Sequence, residues 1–213
     1  MVTVDVKQFY NQLVDNGLDF FCGVPDSLLK SFCSYVSENV CEGRNIIAAN
    51  EGNAIGIACG YHVATGKCGV VYMQNSGEGN AVNPLLSIAD PAVYSIPMLL
   101  IIGWRGEPGV HDEPQHAKQG AVTLSLLEAM NIPYEVLDDN WEKQLRDVMR
   151  VMNEESRPAA LVIRKGLLSE HPYCPDENGA PLCREEALKL ILSKIDDNAF
   201  VVSTTGKTSR EIF

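Results

Sequence analysis

Short apolar runs alternate with longer stretches in which apolar residues recur every three or four positions, and this rhythm holds through roughly the first 165 residues. Strand-like and helix-like periods taking turns in this way are the signature of βαβ units, and so of a parallel sheet with helices on both faces. The pattern predicts strands at residues 19–23, 45–50, 69–74, 98–103, 134–137 and 159–163. Helices are expected at 4–16, 26–40, 52–65, 79–88, 121–130 and 141–153, the first of them ended by Gly17. Six strands with their connections make a complete doubly wound, mainly parallel α/β domain.

After Lys165 the rhythm lapses into SEHPYCPDENGAPLC, rich in proline, acidic and small residues, which reads as an exposed linker. A helix is predicted at 184–195, then an apolar strand at 199–204 and a turn at 206–209. One strand and one turn bury no core, so the sequence is expected to be part of a longer chain. The expected organisation is a first domain over 1–168, a linker with a short helix over 169–197, and the opening of a second α/β domain at 198–213.

In open parallel sheets, ligands bind outside the carboxyl ends of the strands. The loops that follow the first four predicted strands are GVPDS at 23–27, NEG at 50–52, QNSGEGN at 74–80 and GWRGEPGVHDEPQH at 103–116. They lie on one edge of such a sheet, where Asp26, Glu51, Asn75, Arg105, His111 and His116 converge. Glu51 is the most pointed of them: a carboxylate at the end of an apolar strand, directly ahead of a helix whose glycines (Gly52, Gly56 and Gly60) permit close approach. Its ordinary alternative is to offset the helix dipole from the first turn, just as the alternative for Asp26 is to cap the helix after it.

Composition narrows the function classes. With 17 basic and 28 acidic residues the net charge is −11, which disfavours nucleic acid as a partner. The longest apolar run, residues 96–102, falls far short of the roughly 20 residues of a membrane span. The N-terminus lacks the basic and apolar regions of a signal peptide, and a cytoplasmic protein is expected. The seven cysteines contain no CxxC pair and lie mostly within apolar runs, which suits buried thiols in a reducing compartment.

Several familiar motifs fail on spacing. TGKT at 205–208 lacks the P-loop glycine, Val201 standing in its place. Gly77 and Gly79 begin a dinucleotide fingerprint whose third glycine is replaced by Val82. His111 and His116 are five apart with Pro114 between them, whereas zinc peptidases place two histidines four apart on an unbroken helix, so no metal ligands are assigned.

Taken together, GVPDSLLKSF, ANEGNAIGIACGYHVATGK, QNSGEGNAVNPLLSIADP, GWRGEPGVHDEPQH and VVSTTGKTSREIF resemble the phosphonopyruvate decarboxylase family of thiamine diphosphate enzymes, with the sulfopyruvate decarboxylases as neighbours. The resemblance covers nearly the whole chain, its motifs fall in the family's order, and it implies that the first domain binds the cofactor's pyrimidine ring. It implies a carbon–carbon lyase that converts 3-phosphonopyruvate to phosphonoacetaldehyde and CO₂ in phosphonate (2-aminoethylphosphonate) biosynthesis.

The resemblance also implies residue roles. Glu51 would hydrogen-bond the aminopyrimidine, with Val24, Pro25, Asn75, Gly77 and Asn80 forming the rest of the cofactor site. Asp26 and either His111 or His116 would manage protons over the reacting carbon; the wider decarboxylase pattern has adjacent histidines, which this chain separates. Ser27, Lys30 and Arg105 would meet the anionic tail, with Arg105 the preferred contact. Mg²⁺ and the diphosphate belong to a second domain whose GDG motif does not occur in this sequence, so the active form is expected to be a dimer or larger, with sites between subunits. The alternatives are a sulfopyruvate decarboxylase or a non-catalytic binding or regulatory α/β module.

Overall fold

The computed structural model describes residues 3–172, 182–196, 198–203 and 207–212. The chain divides into two compact units, Met1–Tyr173 and Cys174–Phe213. The first unit runs α1 (Val6–Asp15), β1 (Phe21–Gly23), α2 (Lys30–Asn39), β2 (Asn45–Ile47), α3 (Glu51–Thr65), β3 (Gly69–Gln74), α4 (Glu78–Pro84), β4 (Met98–Gly103), α5 (Pro114–Ala129), β5 (Tyr134–Val136), α6 (Trp141–Glu154) and β6 (Pro158–Ile163). All six strands join one sheet in the order β2-β1-β3-β4-β6-β5, and every pairing is parallel.

The central strands read as unbroken apolar runs because both of their faces are covered. In β4, Leu99 and Ile101 point to one face and Met98, Leu100 and Ile102 to the other, all of them buried. The first face packs on Phe9 and Leu13 of α1, Phe32 and Val36 of α2, and Leu145 and Met152 of α6. The second packs on Ala54, Ile55 and Ala58 of α3, Ala81 of α4 and Leu127 of α5. Each such side chain contributes roughly 1.5–3 kcal/mol on burial, so these two layers hold the sheet edge in place.

Local chemistry moves several element boundaries from their expected positions. The helix expected from 26 begins at Lys30, because Asp26 Oδ2 accepts from Leu28 N at 3.0 Å and bends the chain into a turn first. Strand β2 stops at Ile47; it is an edge strand, and Ile47 is 65% exposed. The helix expected over 79–88 is two pieces, α4 and a π-helical turn at Leu85–Ala89, preceded by a 3₁₀ turn at Asn75–Gly77. Pro84 has no N–H to continue the regular ladder there.

Helix α5 starts at Pro114, seven residues before the expected 121, since proline fits the first helical position and its missing N–H is no loss. His116 therefore lies in the first turn of a helix rather than in a loop. Towards the end of this unit, Ser169 N donates to Val4 O and His171 N to Ser31 Oγ, which ties the expected start of the linker down onto the unit. Residues 173–181 of that linker lie outside the described residues.

In the second unit, helix α7 (Arg184–Leu192) opens with Glu186 accepting from the Cys183 backbone N–H at 2.9 Å. The strand expected at 199–204 is absent over its described residues 199–203, where Phe200 and Val202 are 99% and 93% exposed. A strand needs a partner to satisfy its backbone, and among the described residues none pairs with it. Of the turn expected at 206–209, residue 206 lies outside the described residues and the rest forms the start of helix α8 (Lys207–Ile212).

Candidate functional site

The strand order reverses direction beside β1: β2 lies on one side of it and β3, then β4, on the other. The loops leaving β1, β3 and β4 therefore flank the topological switch point, the expected ligand crevice of an open sheet. Asp26, from the β1 loop, is only 6% exposed, and its Oδ1 accepts from Gln74 Nε2 at the end of β3 at 2.6 Å. Ahead of it, Val24 N donates to Tyr72 O at 3.1 Å, and Pro25 is exposed.

Glu51 is placed by its neighbour. Asn50 caps α3, its Oδ1 accepting from Asn53 N at 2.9 Å, which makes Glu51 the first helical residue. Its Oε2 accepts from Asn80 Nδ2 of α4 at 2.8 Å. Its Oε1 takes no hydrogen bond among the described residues and rests against the bare backbone of Gly77, where any side chain would collide with the carboxyl group. The half-buried carboxylate is thus gripped on one oxygen and left available on the other. A carboxylate so arranged can accept from, or hand a proton to, a ring nitrogen in the crevice.

Arg105 is more tightly specified. Its Nε and Nη2 donate in parallel to Asp112 at 2.8 and 2.5 Å, and its Nη1 donates to Ser27 Oγ at 2.9 Å. The guanidinium holds the Asp112 carboxyl well below the usual carboxylate range, and Asp112 in turn raises the guanidinium. Asn75 is fully buried and clamps the Arg105 backbone from both sides, Nδ2 donating to its O at 2.8 Å and Oδ1 accepting from its N at 3.1 Å. A further bond from Asn75 Nδ2 to Thr123 Oγ1, also 2.8 Å, leaves the amide as a brace between the β3 and β4 loops rather than a group facing the crevice.

Ser27 and Arg105 meet in a cleft of about 310 Å³ lined by Ser27, Leu28, Arg105, Lys165 and Gly166. Lys30, exposed at the start of α2, does not line it. His111 is exposed, and its backbone O accepts from Lys165 Nζ at 3.2 Å at this cleft; His116 is half-buried on α5. Among the described residues no three His, Cys, Asp or Glu side chains come together as a metal site.

Residues 6–127 match the family model of the thiamine pyrophosphate enzyme N-terminal TPP binding domain. The chain belongs to this family. Within it, phosphonopyruvate decarboxylase of Streptomyces hygroscopicus is 33% identical over 92% of the chain, and that of Streptomyces viridochromogenes 31% over the same share. The chain spans about half the length of these two relatives, 53% of each. The alpha subunit of sulfopyruvate decarboxylase from Methanococcus maripaludis is 31% identical over 72% of the chain, which takes in 90% of that subunit. An X-ray structure of a thiamin diphosphate-dependent enzyme from Mycobacterium smegmatis shares the fold, with a TM-score of 0.53 over 86% of this chain and 36% of that one, at 18% identity.

Three further residues gain their place only from the fold. Asp112 sits in the same loop as Arg105, and only the fold shows that the two are paired. Lys165 follows the last core strand, as the other site residues follow theirs, and that parallel was the available signal. Glu78 starts α4 with 3% exposure, its Oε1 buried without a partner among the described residues. Burial pushes its carboxyl up to about 8, against a lowering hydrogen bond from Thr123. An acid between two glycines at the end of an apolar strand was the clue.

Proposed function

We propose that the intact protein carrying this sequence is a thiamine diphosphate-dependent 2-oxo-acid decarboxylase that converts 3-phosphonopyruvate to phosphonoacetaldehyde and CO₂. The observation that carries this reading is the Glu51 carboxylate, held by Asn80 on one oxygen and left open on the other at the sheet edge. When bound, thiamine diphosphate supplies the electron sink for the breaking carbon–carbon bond. Glu51 would hold a proton for the pyrimidine ring, and the bare backbone at Gly77 makes room for its carboxyl. In this reading Asp26, buried beside the ends of β1 and β3, manages a proton over the reacting carbon, with His111 or His116 as its partner.

Arg105 and Ser27 meet the substrate's anionic tail in this reading. Arg105→Gln is expected to raise KM for phosphonopyruvate about tenfold or more, on the scale of one charge-assisted hydrogen bond, and to change KM for pyruvate much less. Steady-state kinetics on both substrates check this, and equal losses on the two contradict it.

The reading also has two or more copies of the chain completing each site, with Mg²⁺ held outside the described residues. Apolar side chains left open on α3 and β2, Val63 at 78% and Ile47 at 65% exposure, support association. The described cysteines are all free thiols, in keeping with a reducing, cytoplasmic setting. The similarity to sulfopyruvate decarboxylase alpha subunits keeps sulfopyruvate as the second reading.

The test is to incubate the intact protein with thiamine diphosphate and Mg²⁺ on phosphonopyruvate, sulfopyruvate and pyruvate. Aldehyde from the phosphonate substrate in preference to the others is expected. Preference for sulfopyruvate would transfer the assignment to the second reading, and no turnover of any of them would overturn both.

A further inference from the structure

We propose that Lys165 is the principal cation of a subsite for a tetrahedral oxyanion, completed by Arg105 Nη1 and Ser27 Oγ, and that this subsite favours a doubly charged phosphonate over a singly charged sulfonate. The inference rests on the decarboxylase reading for its substrate, but on the cleft itself for its chemistry.

The charges of the cleft are unequal in what they have left to give. Arg105 is already neutralised by Asp112, which occupies two of its three nitrogens. Nη1, now donating to Ser27 Oγ, keeps a second N–H that can turn toward a ligand. Arg164, next to Lys165 in sequence, is paired with Glu107 at 3.1 Å. Lys165 makes no ion pair among the described residues; its Nζ donates only to a neutral carbonyl, that of His111, at 3.2 Å. The uncompensated positive charge of the cleft is therefore the lysine.

That charge is unusual in a chain of net charge −11, whose long-range field repels anions. An anion is held here only by a local cation and close donors. The three donors come from three strand-end loops, after β1, β4 and β6, and converge on a cleft at the small end of the range for small-molecule sites. Gly166 adopts φ +77, so the chain turns away directly after Lys165 and leaves the space beside it open. Leu28 also lines the cleft, its N–H held by Asp26 at 3.0 Å, and Asp26 lies near enough to Arg105 for its charge to help raise the guanidinium. In the decarboxylase reading a short substrate sets its tail on Lys165 and its reacting end towards Asp26. Because attraction to a point charge scales with ligand charge, loss of Lys165 penalises a dianion more than a monoanion.

The experiment pairs binding with kinetics on the intact protein, using Lys165→Gln, Lys165→Arg and, as a charge-matched control on α6, Lys143→Gln. Methylphosphonate affinity is measured by calorimetry without cofactor, and KM and kcat for phosphonopyruvate and sulfopyruvate with it. Lys165→Gln is expected to weaken methylphosphonate and raise KM for phosphonopyruvate at least tenfold, to affect sulfopyruvate less, and to leave kcat within about threefold. Lys165→Arg restores most of the loss, and Lys143→Gln changes neither. Unchanged methylphosphonate affinity and KM in Lys165→Gln, in an enzyme that still decarboxylates phosphonopyruvate, overturn the subsite and leave the decarboxylase reading standing. Lysine-dependent methylphosphonate binding in a protein that decarboxylates none of the substrates leaves the subsite standing and overturns the decarboxylase reading.

Discussion

Glu51→Gln is expected to lower kcat for phosphonopyruvate by about 10²- to 10⁴-fold at saturating thiamine diphosphate, the usual span for losing a positioned acid or base. The substitution preserves the size of the side chain, and its amide oxygen can still accept from Asn80 Nδ2, so the local geometry is retained. What disappears is the capacity to hold and return a proton at the oxygen that faces Gly77. The loss of a negative charge in the first turn of α3 costs stability by only about 0.3–1 kcal/mol. A large fall in kcat with a nearly unchanged melting temperature and substrate KM is therefore the expected signature. A variant that keeps near-normal turnover removes Glu51 from the proton relay.

Glu78→Gln is expected to stabilise the protein at and above neutral pH. The folded carboxyl titrates at about 8 against an ordinary 4.5, and the cause is burial. Between those values the unfolded chain has released its proton while the folded one still holds it, so stability falls as pH rises across the window, by up to about 1.4 kcal/mol per pH unit. Below about 4.5 both states are protonated and the penalty is absent; above about 8 it is complete. Glutamine has nothing to ionise. Allowing for local relaxation, a gain of about 1–3 kcal/mol is expected at pH 8, or several degrees in melting temperature for a domain of this size. The gap should close towards pH 5. Parallel melting curves for the two proteins from pH 5 to 8.5 would show that the carboxyl is not carrying this cost.

Where the two faces of the sheet are both covered, the sequence was readable almost to the residue. Strands β3 and β4 occupy the expected positions because runs of five and six consecutive buried residues cannot be accommodated in an exposed element. Glu51 stood out in the sequence as a carboxylate between an apolar run and a helix, whereas the cap by Asn50, which makes Glu51 the first helical residue, is visible only in the fold. The failures lie where tertiary partners decide. The apolar stretch at 199–204 has strand-like composition, but composition supplies no neighbouring strand. The pairing of Arg105 with Asp112 depends on how a loop with several glycines and prolines folds back, and nothing in its spacing reveals it. Lys165 stood at the end of the first domain with no role assigned, and it lines the cleft with Arg105 because β6 sits beside β4 in the sheet. Asn75 was visible as a polar loop residue, but its use as a brace for Arg105 is a matter of packing.

The most direct test of Glu51 as the group that engages the cofactor is hydrogen–deuterium exchange at C2 of thiamine diphosphate bound to the intact protein, read by proton NMR after acid quench. The wild-type protein is predicted to speed this exchange by orders of magnitude over free thiamine diphosphate, and Glu51→Gln, at saturating cofactor, to fall back close to the free rate. Equal exchange rates in the two bound proteins would contradict the account.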